Sequence, residues 1–197
     1  MRQITLALSP FAALLLTGCA STYVSPVEVT RFHQDTPNLL GKGPIAVRAA
    51  LAEEPNSWEY AAYQTAVIEE LRQIGYNVVG GAADQVAEIS VERFVDRPGR
   101  GRSPVSVGVG GSTGSYGSGL GVGVGLDLSP RPAEQIDTQL RVVIKPTAGG
   151  DALWEGRARF AASANSEYGD QRAAAAKLAD ALFSGFPGRS GETIEVR

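Results

Sequence analysis

Cys19 and His33 are the only cysteine and the only histidine in the chain, and they bound the chemistry it can do. A thiol nucleophile or a Cys/His metal site would have to use Cys19, and the N-terminal pattern around that cysteine is expected to commit it elsewhere. A Ser-His-Asp triad would have to use His33, and no Gly-x-Ser-x-Gly elbow stands between a strand and a helix. The segment from Gly117 to Gly121 does not make one, because it lies inside a glycine repeat. Beside Phe32 in an alternating segment, His33 reads as a strand or surface residue. Among the carboxylates, Glu69 and Glu70 are helix neighbours about 100° apart and read as a solvated face. Asp127, at the end of the glycine repeat, reads as a strand-end turn residue, and it is the one acid to watch for a role. The side-chain inventory thus offers no catalytic residue, no metal site and no cofactor site, and the chain is expected not to be an enzyme.

The glycine repeat itself, within Ser103 to Leu128, is the most unusual stretch. Val105, Val107 and Val109 alternate with Gly108 and Gly110; Leu120, Val122, Val124 and Leu126 alternate with Gly119, Gly121, Gly123 and Gly125. A period of two is the strand period, so each run places aliphatics on one face and bare backbone on the other. The intervening Gly111 to Ser118, which contains Tyr116, has turn composition. The stretch therefore predicts a hairpin. It is not a phosphate cradle, since no helix follows and Pro130 breaks the chain instead.

Glycine weakens a strand through entropy and lost packing, so at least six such positions need a reason. Bare backbone allows a sheet, a helix or another subunit to approach closely. An open face and edge would accept a partner's strand. Membrane insertion is the third reading, because Ser103 to Leu126 carries no charge. One hairpin cannot close a barrel, so several copies would have to assemble. The candidate interaction surface is Gly108, Gly110, Tyr116, Gly119, Gly121, Gly123, Gly125 and Asp127.

The N-terminus supplies an address. Met1-Arg2 is a short basic start, and Ile4 to Leu16 is apolar and uncharged, too short for a comfortable span. Leu16-Thr17-Gly18-Cys19 resembles the bacterial lipobox, in which the cysteine is lipidated and becomes the first residue of the mature protein. Residues 1–18 are then a signal peptide and 19–26 a lipidated tether. Ala20-Ser21 lacks the aspartate typical of inner-membrane retention, which points to the outer membrane, lipid-anchored and facing the periplasm. Several acyl chains on one residue give a lasting anchor. The mature chain then has no thiol left for a disulfide.

The full chain has 197 residues, 43% apolar, with a net charge of -3. That suits one folded domain, residues 27–197, containing the glycine-rich hairpin at 103–128. There is no basic block, so nucleic-acid binding is not expected.

Alternation predicts strands at Val27–His33, Ile45–Ala49, Tyr76–Val79, Val86–Val95, Ile136–Lys145, Ala152–Ala162 and Thr193–Val196. Helical spacing predicts one helix over Asn56–Ile74, with an Asn56/Glu59 capping box, a Tyr63, Val67, Leu71 and Ile74 stripe, and a Gly75 stop. Core packing and helix docking are expected for Trp58, Tyr60 and Tyr63. A second helix is predicted over Asp170–Ser184, capped by Asp170 and ended by Gly185 and Pro187. Opposite Trp154 and Phe160, the short Gly156 and Ala158 suggest a helix lying close to the sheet. The expected fold is α/β (α+β): a mainly antiparallel sheet of about six or seven strands with two helices packed on one face.

Five segments together resemble one known group: VTRFH at Val29–His33, the run from Tyr63 to Tyr76, the glycine repeat from Ser103 to Gly125, LWEGRA at Leu153–Ala158, and the segment from Leu182 to Ile194. They are similar to a family of bacterial lipoproteins defined by a domain of unknown function, numbered four-one-three-six. The resemblance implies an envelope lipoprotein with an α/β domain and assigns no activity. The combined expectation is a non-catalytic binding or structural role, with an envelope protein or further copies of itself as partner. The alternative is a subunit of an oligomeric membrane-inserting assembly, and an enzyme or small-ligand binder stands third.

Overall fold

Alternating apolar residues become strands because one side of the sheet they form is dry and the other wet. The computed structural model describes residues 22–35, 39–50, 58–96, 105–114, 117–126 and 133–197. The signal peptide, Cys19, Asn56 of the expected capping box, Tyr116 and Asp127 lie outside the described residues. In chain order the elements are β1 (Val27–His33), β2 (Pro44–Ala49), α1 (Trp58–Gln73), β3 (Asn77–Val78), β4 (Gln85–Asp96) and β5 (Val105–Gly114). They continue with β6 (Gly117–Leu126), β7 (Gln135–Pro146), β8 (Trp154–Ser163), α2 (Gln171–Phe183) and β9 (Thr193–Val196). Seven strands form one sheet in the order β3-β2-β4-β7-β8-β1-β9, and β5 pairs with β6 in a separate two-stranded sheet.

The seven-stranded sheet is mixed, which corrects the expectation of a mainly antiparallel one. The pairs β4–β7, β7–β8, β8–β1 and β1–β9 are antiparallel, but β2 is parallel to both β3 and β4. The cause is the connection. A helix crossing one face returns the chain to the end where it began, so a strand entered through α1 must run parallel to β2. Alternation marks a strand without giving its direction.

Both helices cover the same face, and the core lies between them and the sheet. On α1, Tyr63, Val67 and Leu71 are fully buried, as their spacing predicts. Trp58 departs from expectation and is 73% exposed, because it lies two residues, about 200° of helix, from the buried Tyr60. The helix ends as a Schellman motif: Gly75 has φ +109°, the Tyr76 N–H donates to Leu71 O, and the Gly75 N–H donates to Arg72 O. Asp170 caps α2, its carboxylate accepting from the backbone N–H of Arg172 and Ala173 at 2.9 and 3.2 Å.

The small residue expected opposite a helix is also there. A Cβ added at Gly156 would collide with the Trp154 ring and lie 2.7 Å from Leu182 Cδ1 of α2. Trp154 stacks on Phe183 with centroids 5.4 Å apart, and its indole N–H donates to Pro187 O at 3.0 Å.

Candidate functional site

The hairpin register sorts the glycine repeat into two faces. Opposite residues of an antiparallel pair share a face. The pairs Val105–Leu126, Val107–Val124, Val109–Val122 and Gly111–Leu120 lie on one side. Ser106–Gly125, Gly108–Gly123, Gly110–Gly121 and Ser112–Gly119 lie on the other. All six glycines named as candidates, Gly108, Gly110, Gly119, Gly121, Gly123 and Gly125, therefore share one face. Tyr116 falls in the two-residue connection between Gly114 and Gly117, and Asp127 follows the end of β6, both outside the described residues.

The hairpin is an excursion from one point of the main sheet. Strands β4 and β7 are paired along their whole length, ending at Asp96 opposite Gln135, and the hairpin is inserted between those two residues. It hydrogen-bonds within itself and extends neither edge of the seven-stranded sheet. Gly110-Gly111-Ser112-Thr113-Gly114 has nucleophile-elbow spacing, but it lies wholly in β5, followed after two residues by another strand. A nucleophile elbow needs a helix there.

Among the described residues, His33 meets no other candidate side chain. Both ring nitrogens of His33 lie against carbonyl oxygens, Nδ1 3.0 Å from Gln34 O and Nε2 3.2 Å from Gly188 O. Ser190 Oγ contacts the backbone N–H and carbonyl of His33 instead of its ring. Among the described residues, no three His, Cys, Asp or Glu side chains come together in a group that could hold a metal ion.

The sheet face opposite the helices carries ion pairs. Arg141 and Arg157 face each other across β7 and β8, and both donate to Glu155. The Arg141 hydrogen bonds to both carboxylate oxygens hold Glu155 below the usual carboxylate range, against burial that pushes it up. Arg159 donates from Nε to Glu28 at 2.7 Å. Glu88 lies between Arg48 and Lys145. Two depressions of about 300 and 290 Å³ open on this face, around Thr30, Gln139, Arg157 and Thr193, and around Tyr23, Ser25, Asp137 and Glu195. Their lining arginines are already committed to carboxylates of the same sheet. This face is a solvated ion-pair ladder.

Sequence reasoning missed Arg31. It shares the inward parity of Val27 and Val29, is 5% exposed, and gives its guanidinium to the last carbonyls of α2. The alternation that marks Val27–His33 as a strand puts it on the face of Val27 and Val29.

No family model matches the chain. A stretch of 65 residues is 37% identical to an uncharacterized protein of Zymomonas mobilis subsp. mobilis, covering 33% of this chain and 24% of that protein. The chain thus matches about a quarter of the length of that relative. Among solved structures, a PDZ domain protein from Parabacteroides distasonis has a TM-score of 0.48 at 14% identity, covering 88% of this chain and 38% of that one. The PelC dodecamer from Paraburkholderia phytofirmans has a TM-score of 0.45 at 14% identity, covering 82% of this chain and 99% of that one.

Proposed function

We propose that the chain is an envelope lipoprotein with a non-catalytic binding or structural role. Acyl chains on Cys19 would hold it to the outer membrane, facing the periplasm, and the glycine hairpin is its contact or assembly surface. One observation carries this reading: a register-matched hairpin, with its six candidate glycines on one face, stands outside the sheet that holds the core. Strand glycines are costly, and six on one face are accounted for when another surface must come close. The lipobox supports the address, and the segments from Val29 to Ile194 support membership of the lipoprotein family numbered four-one-three-six.

The test is photo-crosslinking in cells from positions 112 and 118 near the hairpin tip. A captured envelope protein, or a second copy of the chain, is the expected result. If no protein is captured from either position, the contact surface is elsewhere and the proposal fails.

A further inference from the structure

The geometry points to a specific occupant for the hairpin: the lipid bilayer on its aliphatic face, with further copies of the same hairpin at its two edges. This rests on the contact-surface reading and names the partner. The first support is length. Each strand has ten residues, and about nine to eleven tilted residues cross a bilayer as a β-strand. Ten residues extend about 33 Å at about 3.3 Å each. At a tilt near 40° that gives a height of about 25 Å, matching the apolar band of outer-membrane barrels.

The second support is the distribution of charge. Ser103 to Leu126 has none, while Arg97, Arg100 and Arg102 precede it and Asp127 and Arg131 follow it. A run without charge, bounded in sequence by charged residues on both sides, suits a segment that enters lipid. At the far end, Thr113–Ser118 is the first pair on the aliphatic side without an apolar residue. Two residues, Ser115 and Tyr116, then make the connection.

The third support is the register. Valines and leucines lie on one side at three consecutive levels, Val105–Leu126, Val107–Val124 and Val109–Val122, with Leu120 opposite Gly111 at the fourth. Glycines and serines fill the other side. Apolar-out and small-or-polar-in is the alternation of a transmembrane barrel strand. In lipid, unpaired edge groups are not tolerated, so the edges of one hairpin must be closed by others. At two strands per copy, the smallest barrels of eight strands require about four copies. An eight-stranded ring has an interior just wide enough for side chains, and glycine on the inner face leaves it open.

The experiment uses the full-length protein, purified with its N-terminus as processed in the cell. It is added to dye-loaded vesicles of phosphatidylethanolamine and phosphatidylglycerol. Dye release rising more steeply than linearly with protein concentration is the expected result. Val109→Arg, near mid-strand on the aliphatic face, should reduce release at least tenfold, roughly the penalty of a mid-bilayer cation. Gly110→Arg, one residue on and facing inward, should reduce it by less than about threefold, because lumen positions tolerate charge. Thermal melting of each variant separates lost insertion from lost folding, and Val124→Arg repeats the outward test if Val109→Arg does not fold. No release by the wild type, or equal losses from Val109→Arg and Gly110→Arg, overturns insertion. In that event, protein crosslinks from positions 112 and 118 still uphold the contact surface, whereas their absence sinks both.

Discussion

Arg31 on β1 and Ser184 at the end of α2 are joined by a hydrogen bond of 2.8 Å, from Nη2 to the carbonyl oxygen. The same guanidinium donates to Ala181 O at 2.9 Å and, from Nε, to Leu182 O at 3.0 Å. A helix leaves its last carbonyls without intrahelical partners and carries partial negative charge there. A buried cation placed on them satisfies both its own donors and the helix end. Burial lowers the pKa of Arg31 from its ordinary value, with the charge of Glu192 opposing, yet arginine stays protonated at any ordinary pH. Arg31→Met keeps the bulk and removes the donors. It should cost about 2–4 kcal/mol, because three carbonyls lose their partner. Urea unfolding at neutral pH measures this, and a loss under about 0.5 kcal/mol would mean water replaces the guanidinium.

Gly156 should reject even a methyl group. Its added Cβ would meet the Trp154 ring on one side and Leu182 on the other, with both of those residues fully buried. Overpacking of this kind costs about 1–3 kcal/mol. Gly156→Ala should lower the melting temperature and change the near-ultraviolet signal of Trp154, which stacks on Phe183. An unchanged melt would show that α2 can move outward at no cost.

Two glutamates should respond to pH with opposite signs. The Arg141 hydrogen bonds depress the pKa of Glu155, so its contribution is present above the unfolded carboxylate value and lost as pH falls through the folded one. Glu155→Gln should then cost about 1 kcal/mol at pH 7, after screening of the partly exposed arginines. The cost should shrink as pH falls through the carboxylate range. Glu70 on α1 is raised by burial first, then by the charges of Asp180 and Glu69. Its contribution is present below the unfolded value and lost as pH rises through the folded one. Glu70→Gln should therefore stabilise by about 0.5 kcal/mol or less at pH 7, and the gain should disappear in acid. Urea midpoints of both variants and wild type between pH 3 and 8 test the pair. Parallel curves for the two variants would refute the sign difference.

The anchor has a direct test. Cys19→Ala should abolish palmitate labelling. A variant that still takes up label would place the lipid on another residue.

Much of this was legible because alternation and helical spacing are local. Val27 to His33, the Tyr63–Val67–Leu71 stripe, the Gly75 stop and the Asp170 cap each need only a few neighbouring residues to be read. Strand direction was not legible in that way, since the β2 pairings depend on where α1 delivers the chain. Arg31 has the parity of Val27 and Val29, and that alternation places it inside despite its charge. Trp58 is the converse, a large ring whose angle from the buried Tyr60 puts it outside. At the hairpin, the glycine spacing foretold both strands, but the position of the pair outside the main sheet is a long-range fact that no spacing encodes.

That position decides what the glycines should tolerate. If they were packed beneath a core element, valine in their place would destroy the fold, as the collision at Gly156 illustrates. The hairpin instead pairs within itself, while the seven strands and two helices enclose the core. Gly121→Val with Gly123→Val also replaces two poor strand formers with good ones. The double variant should keep its melting temperature, with stability shifted by no more than about 0.5 kcal/mol, as for substitutions away from the core. Association should change, because two side chains now stand on the shared glycine face. Calorimetry and analytical ultracentrifugation on the same sample read both quantities. A variant that fails to fold would make the glycine face internal packing, and a variant unchanged in both would remove it from any contact.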